Sequence, residues 1–352
     1  MKKIVFDCER MKYPHTGLYH YCLNLAKAIA KQLDPESEQL IHYVNKKASN
    51  VFGSDSHFLW QKSFHKFLFP DTSKIDLWHT TFQNTSYFPS KRNVRKVLTI
   101  HDLNFLIEKQ DRPDKIKSLL QSIQEKINRS DEIICISNFT MSEVSKHLDI
   151  AEKPLNVIYN GCNINENISA KRPTTVPDGE FLFSIGTVTD KKNFHVLPAL
   201  LTKNSYSLVI AGIHSNPRYV EKIISSARSL GVEKRLHIIG AVSEAEKNWC
   251  LANCSAFVFP SLAEGFGLPV VEAMHHKKPI FLSDKTSLPE IGGDVAYYFS
   301  DFDPDHMRKV FEEGMLDYQR TPLKQELIKE RSFKFDWKNI ADQHIKIYRR
   351  LM

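Results

Sequence analysis

The chain has 352 residues, 42% hydrophobic and 25% charged, with a net charge of +7. That length favours two domains, each large enough to bury a core without metals or disulfides. No stretch approaches eighteen consecutive apolar residues, so no transmembrane helix is expected, and the basic excess, mostly before residue 165, is too diffuse for nucleic-acid binding.

The opening MKKIVFDCERMKY turns acidic within a few residues and lacks the long apolar core of a signal peptide, so it reads as a first strand. The expected location is the cytoplasm, including the inner face of its membrane. Short β-branched and aromatic runs then alternate with helical patterns. Strands are predicted over 3–8, 39–44, 75–79, 95–100, 131–136 and 155–159, and helices over 18–33, 113–129 and 138–148. Such alternation predicts a parallel sheet covered on both faces. The polar, proline-bearing stretch 162–180 reads as a linker. Strands resume over 180–186, 206–212, 235–240, 255–260 and 279–283, with helices over 192–202, 216–230, 243–253 and 268–277. The fold class is therefore α/β: two Rossmann-like, doubly wound domains over 1–165 and 166–335, facing across a cleft. Ligands in such sheets bind beyond the carboxyl ends of the strands. The segment 336–352 is amphipathic, with Trp337, Ile340, Ile345 and Leu351 forming an apolar stripe that packs back on the first domain.

The six cysteines, Cys8, Cys22, Cys135, Cys162, Cys250 and Cys254, form no C-x-x-C pair and read as buried thiols. Cys250 and Cys254 share a helix face but lack further zinc ligands nearby.

Residues 260–274, PSLAEGFGLPVVEAM, follow the strand SAFVFP. Pro269 fits the first turn of a helix, because its missing N–H needs no partner there. The glycines let backbone N–H groups approach a ligand, and the helix N-terminus suits phosphate. Glu264 in the loop and Glu272, read as lying in the first helical turn, suit hydroxyl groups. A ligand carrying both phosphates and hydroxyls is a sugar nucleotide. Against this stands ordinary helix-dipole complementation by Glu272.

This stretch resembles the E-x7-E motif of retaining glycosyltransferases of the two-domain GT-B fold, specifically glycosyltransferase family 4. Six further segments resemble the family in order: HTGLYHYCLNLAKAI (15–29), TIHDL (99–103), ICISNFTMSEV (134–144), VIYNGCN (157–163), SIGTVTDKKNF (184–194) and SDKTSLPEIGGDVAYYF (283–299). The resemblance implies that Lys192 contacts the donor diphosphate and Glu264 lies near the donor sugar. It also places Glu272 on the ribose hydroxyls. Gly265, Phe266, Gly267 and Leu268 belong to the donor loop, the last three as backbone donors. Gly17 approaches the phosphates from the first domain, and His101 stands at the donor sugar. Two departures stand out. Thr187 occupies a position where many relatives carry arginine, with Lys191 able to compensate, and Lys277 replaces a glycine.

The implied reaction moves a hexose, with retention, from a nucleotide sugar to a hydroxyl of a saccharide or lipid-linked acceptor. It would serve bacterial surface polysaccharide assembly of the lipopolysaccharide O-antigen type. GDP-mannose, as in mannosyltransferases, is the first expectation for the donor, with a UDP- or dTDP-sugar as the alternative. No obligatory cofactor is expected. DFDPD (301–305) has a metal-chelating spacing, but Asp303 and Pro304 also read as an N-cap and first helical position, so no metal is predicted. A catalytically silent sugar-nucleotide binder is the competing class. A dinucleotide oxidoreductase is disfavoured by the missing G-x-G-x-x-G after KIVFDC. The aromatic and basic segment 58–69 reads either as a peripheral membrane contact or as a partly buried strand flank.

Overall fold

The computed structural model describes residues 1–14, 16–90, 93–162 and 169–352. Of the expected segments, His15, Asn163 and the linker's 163–168, with the boundary at 165/166, lie outside the described residues. The chain divides into two units: Met1–Asn163 with Phe335–Met352, and Ile164–Lys334.

The first unit holds a seven-stranded, all-parallel sheet. Its strands are β1 (Lys2–Asp7), β2 (Glu38–Val44), β3 (His57–Trp60), β4 (Leu77–Thr80), β5 (Arg95–Ile100), β6 (Glu132–Cys135) and β7 (Leu155–Val157). They lie in the order β3-β2-β1-β4-β5-β6-β7. β4 and β6 are buried throughout, as expected for parallel strands covered on both faces. Side chains alternate across the sheet. Ile4 and Phe6 of β1 join the cluster that includes Leu25, Ile29, Ile345 and Tyr348, while Val5 joins Tyr43 and Trp78.

The helix Gly17–Ala30 is capped by Thr16, whose hydroxyl accepts from the Tyr19 N–H at 3.2 Å. Against it packs the C-terminal helix Trp337–Leu351, which buries Ile340, Ala341, Ile345, Ile347 and Tyr348. The stripe read from the sequence packs inward, Trp337 and Leu351 partly buried at its ends, and His344 and Tyr348 widen the buried face. Tyr348 Oη lies 2.6 Å from His79 Nδ1, and Arg349 forms a bidentate pair with Glu38, both bonds 2.7 Å.

The second unit holds six parallel strands: β8 (Phe181–Ile185), β9 (Ser207–Ala211), β10 (Leu236–Gly240), β11 (Ala256–Phe259), β12 (Ile280–Ser283) and β13 (Tyr297–Phe299). The order β10-β9-β8-β11-β12-β13 reverses between β8 and β11. In the first unit the order reverses between β1 and β4. Loops on the two sides of such a reversal diverge and leave a crevice at the carboxyl ends.

Several expectations are corrected. The helix expected over 192–202 is instead two 3-10 segments, Asp190–Lys192 and Phe194–Leu201. Asn193 between them is left-handed at φ 57°, and Pro198 inside the second removes a backbone donor. Short β3 and β13, and the helix Lys324–Ser332, were not read from sequence; three- and four-residue strands carry little periodicity. Asp303 is the N-cap of the helix Pro304–Arg320, its carboxylate accepting from the N–H groups of Asp305 (2.9 Å) and His306 (3.1 Å). All six cysteines are buried free thiols.

The seat of the C-terminal helix is testable. A Cβ on Gly161 would stand 2.1 Å from Trp337 Cδ2, whereas one on Gly53 meets nothing within 4 Å. Gly161→Ala should lower stability by about 2 kcal/mol through overpacking. Gly53→Ala should leave it near wild type, both read by urea unfolding.

Candidate active site

The crevice of the second sheet gathers the chemistry. The loop after β8 carries Thr187, Lys191 and Lys192, and the loop after β11 carries Ser261 and Glu264. Backbone bonds pin the two loops together. The Leu262 N–H donates to the Lys191 carbonyl at 2.8 Å, and Ser261 Oγ lies 3.2 Å from the same oxygen. Lys192 Nζ therefore reaches Glu264 Oε1 at 2.5 Å, with the side chains only 11% and 14% exposed. Ser261 Oγ stands 2.6 Å from that same carboxylate oxygen. Lys192 Nζ also lies 4.8 Å above the Phe259 ring, a favourable seat for a cation.

Gly186 permits this approach. Its φ is +153°, and a Cβ there would press on Lys192 Cε at 3.0 Å. Beyond the pair, the loop 284–287 supports the Glu264 turn. The Glu264 N–H donates to Thr286 Oγ1 at 3.0 Å, and Ser287 Oγ lies 3.0 Å from the Glu264 carbonyl and 3.2 Å from that of Phe266. Thr187, by contrast, is exposed, and its carbonyl accepts from Thr189 Oγ1 at 3.4 Å.

Gly267 is the N-cap of the helix Leu268–His275 at φ 98°, so Leu268 is its first residue and Pro269 its second. Glu272 is therefore fifth and lies in the second turn, not the first. The dipole reading of Glu272 falls with that position, because the helix has no acidic residue in its first turn. Its partner is Lys247, whose Nζ sits 2.8 Å from Glu272 Oε1 and 2.9 Å from Glu244 Oε2. Both Lys247 and Glu272 side chains are 12% exposed. Burial pushes the Glu272 carboxyl above its ordinary range, and Lys247 opposes that shift. Burial disfavours the Lys247 charge, but Glu272 and Glu244 outweigh it and raise its pKa. Lys277, replacing the family glycine, takes the left-handed conformation at φ 58°, so the turn forms without glycine.

In the first unit, His101 follows β5 and is buried. Its Nε2–H donates to the Thr81 carbonyl at 2.8 Å, which makes Nδ1 the acceptor of the ring. Burial lowers its pKa to about 4, so the imidazole is neutral at pH 7. Tyr21 packs edge-on against it at 4.7 Å. Gly17 is the first residue of its helix. Sequence reasoning thus found Lys192 and Glu264, but not Ser261, Thr286, Ser287 or Lys247. Serines and threonines at strand ends and a lysine in a helix carry no local signal of their partners.

Two family models divide the chain. One described as Glycosyl transferases group 1 matches residues 166–330, and one described as Glycosyltransferase Family 4 matches residues 17–166. The chain belongs to glycosyltransferase family 4. This family 4 chain is 24% identical to the O-antigen chain mannosyltransferase B of Escherichia coli, over 99% of this chain and 100% of that protein. It is 31% identical to the serotype-specific mannosyltransferase WbdA of Escherichia coli over 73% of its own length, but spans only 34% of that larger protein. Among solved structures, the sucrose-phosphate synthase from Thermosynechococcus elongatus superposes with a TM-score of 0.76 at 15% identity, covering 100% of this chain and 99% of that one. Anabaena Alr3699/HepE in complex with UDP and glucose gives 0.73 at 15%, covering 99% of each chain. These likenesses establish the GT-B fold.

The Lys247–Glu272 pair yields a prediction. Lys247→Met strands a buried carboxylate and should cost about 3 kcal/mol. The double variant Lys247→Met/Glu272→Leu should recover at least about half of that loss. Additive effects in a double-mutant cycle by urea unfolding would mean the two residues do not interact.

Proposed function

We propose that this family 4 enzyme transfers mannose from GDP-mannose to a hydroxyl of a saccharide or lipid-linked saccharide, in O-antigen-type polysaccharide assembly. The observation that carries the reading is the buried Lys192–Glu264 pair, held with Ser261 at the crevice of the second sheet. A sugar nucleotide presents both a diphosphate and hydroxyl groups to such a pair. Lys192 receives the diphosphate, which gathers negative charge as the glycosidic bond breaks, and so stabilises the leaving group. Glu264, freed from Lys192, accepts from donor-sugar hydroxyls. Glu272, paired with Lys247, accepts from the ribose hydroxyls. Backbone N–H groups of Phe266, Gly267 and Leu268 face the donor, with Gly265 giving that loop its freedom. Lys191 supplements Lys192, Thr187 lines the same loop, and Gly17 approaches the phosphates.

Neutral His101 offers Nδ1 to a sugar hydroxyl. Transfer proceeds with retention: the acceptor hydroxyl attacks the face the phosphate leaves, and the departing phosphate takes its proton. No resident cofactor or metal is needed in this scheme. The mannosyltransferase relatives support the sugar and pathway. A UDP-sugar is the second reading, favoured by the UDP and glucose bound to HepE.

The first test is thermal-shift titration with GDP, UDP, dTDP and ADP and their sugars. Ligand stabilises by an amount set by its concentration over Kd, about 2.7 kcal/mol at a hundredfold excess. GDP-mannose should raise the midpoint, and Glu272→Ala should abolish the rise. Lys192→Ala should lower transfer from radiolabelled GDP-mannose by at least about a hundredfold. A shift with UDP alone would replace the donor. A shift without transfer to any acceptor would favour the silent binder.

We also propose that the acceptor is presented at a membrane. Among the described residues, no helix is long and apolar enough to cross one. Within 58–69 the greatest exposure follows the strand, with Trp60 37% exposed at its end. Phe58 and Trp60 stack on each other at 4.8 Å, and Phe69 packs on Trp78 at 4.9 Å. Phe67 is 92% exposed, Leu68 72% and Phe64 51%, around the turn bearing Lys62 and Lys66. Apolar tips flanked by lysines suit an anionic lipid surface. The wild type should float with anionic liposomes, and Phe67→Ser/Leu68→Ser should not. Equal flotation of the two would reject this face.

A further inference from the structure

The crevice of the first sheet lies between β1 and β4, and the loops after these strands carry Arg10 and Phe82. The Arg10 guanidinium carbon sits 4.6 Å above the Phe82 ring and 4.8 Å above the Tyr13 ring. The cation is thus clamped between one aromatic from each side of the crevice. Its Nε is buried and has no hydrogen-bond partner. The Arg10 side chain forms no ion pair or hydrogen bond among the described residues, although two carboxylates lie close in sequence. Glu9 is taken by Lys12. Asp7 is fully buried, accepts from the Glu9 N–H at 2.9 Å, and is pushed toward its neutral form by burial.

A structural arginine would use these acids, because an unpaired buried donor is expensive. This one is instead seated over two rings at the place where α/β sheets bind ligands. Its charge is also felt at neighbouring His101. A planar guanidinium with unused donors matches a phosphate oxygen pair better than a neutral sugar.

We propose that Arg10 binds a phosphate group of the acceptor at the crevice of the first sheet. The inference rests on the transferase reading, since it assigns the anion to the acceptor and not to the donor. Tyr13 and Phe82 seat the guanidinium, and Arg10 thereby selects acceptors that carry phosphate near the attacking hydroxyl.

The test uses the full chain, with inorganic pyrophosphate as the probe in calorimetric titrations, before and after saturation with GDP. Wild type should still bind pyrophosphate when GDP fills the donor site. Arg10→Gln should weaken that residual binding by about ten- to a hundredfold, the range of a hydrogen bond to a charged group. GDP affinity should be unchanged. Arg10→Lys, which keeps the charge but not the fork, should fall between and serves should the glutamine variant fail to fold. Lys192→Gln should weaken GDP binding and spare the residual site. Loss of GDP affinity in Arg10→Gln would move the residue to the donor, and wild-type pyrophosphate binding in that variant would reject the site. If no nucleotide binds at all, the donor reading fails, while the comparison of Arg10→Gln with wild type still decides this one.

Discussion

The bond from the Leu262 N–H to the Lys191 carbonyl, 2.8 Å long, is the constraint on which the candidate site depends. Strand order reverses between β8 and β11, so the loops leaving these strands would otherwise diverge. The backbone bond and the Ser261 hydroxyl hold them together. Residues 192 and 264, far apart in sequence, then meet through their side chains. Gly186 and Gly212 make the same region possible. A Cβ on Gly212 would stand 1.9 Å from the Gly186 carbonyl oxygen, so β8 and β9 close up at their carboxyl ends only with glycine there.

Two nearly buried lysine–glutamate pairs in one unit are an expensive arrangement, since the desolvation of each ion rivals the attraction between them. Apolar residues of similar volume would serve stability as well. The arrangement makes sense for a ligand that replaces each half of a pair with a better partner. On the proposed function, phosphate takes the lysine and hydroxyls take the glutamate, so binding leaves no charge stranded. Lys247 differs from Lys192 in holding two carboxylates, Glu272 and Glu244, and stays with its helix turn.

The first unit is built from both ends of the chain. The helix Trp337–Leu351 supplies Ile340, Ile345 and Tyr348 to the core beneath β1 and β4, and Tyr348 bonds His79. His79 Nε2 in turn lies 2.7 Å from Thr99 Oγ1, and Tyr21 Oη is 3.4 Å from the same oxygen. A buried polar chain therefore runs from the C-terminal helix to Tyr21, the ring packed against His101. Such a network fixes the orientation of its members only when every link is satisfied.

The sequence by itself determined the alternation of strands and helices, hence two parallel sheets. Continuous apolar runs such as FVF and IFL, bounded by turn signals and helical patterns, read as strands buried on both faces. Its local chemistry also marked the ends of elements. Asp303-Pro304 starts a helix as read, and the 113–129 helix keeps its predicted bounds, because caps and prolines act within one turn. Motif order pointed to Lys192, Glu264 and Glu272 as a set. Tertiary structure decided what each of these touches. Glu272 moved to the second turn and found Lys247, whose helix joins β10 to β11 and meets the Glu272 helix only once those strands take their separate places beside β9 and β8. Arg10 gained its aromatic clamp only because β4 lies next to β1, which brings Phe82 over a loop some seventy residues earlier in the chain. Periodicity and caps are written within a few residues, whereas the partner of a buried charge is chosen by which strands become neighbours, and that is a property of the whole sheet.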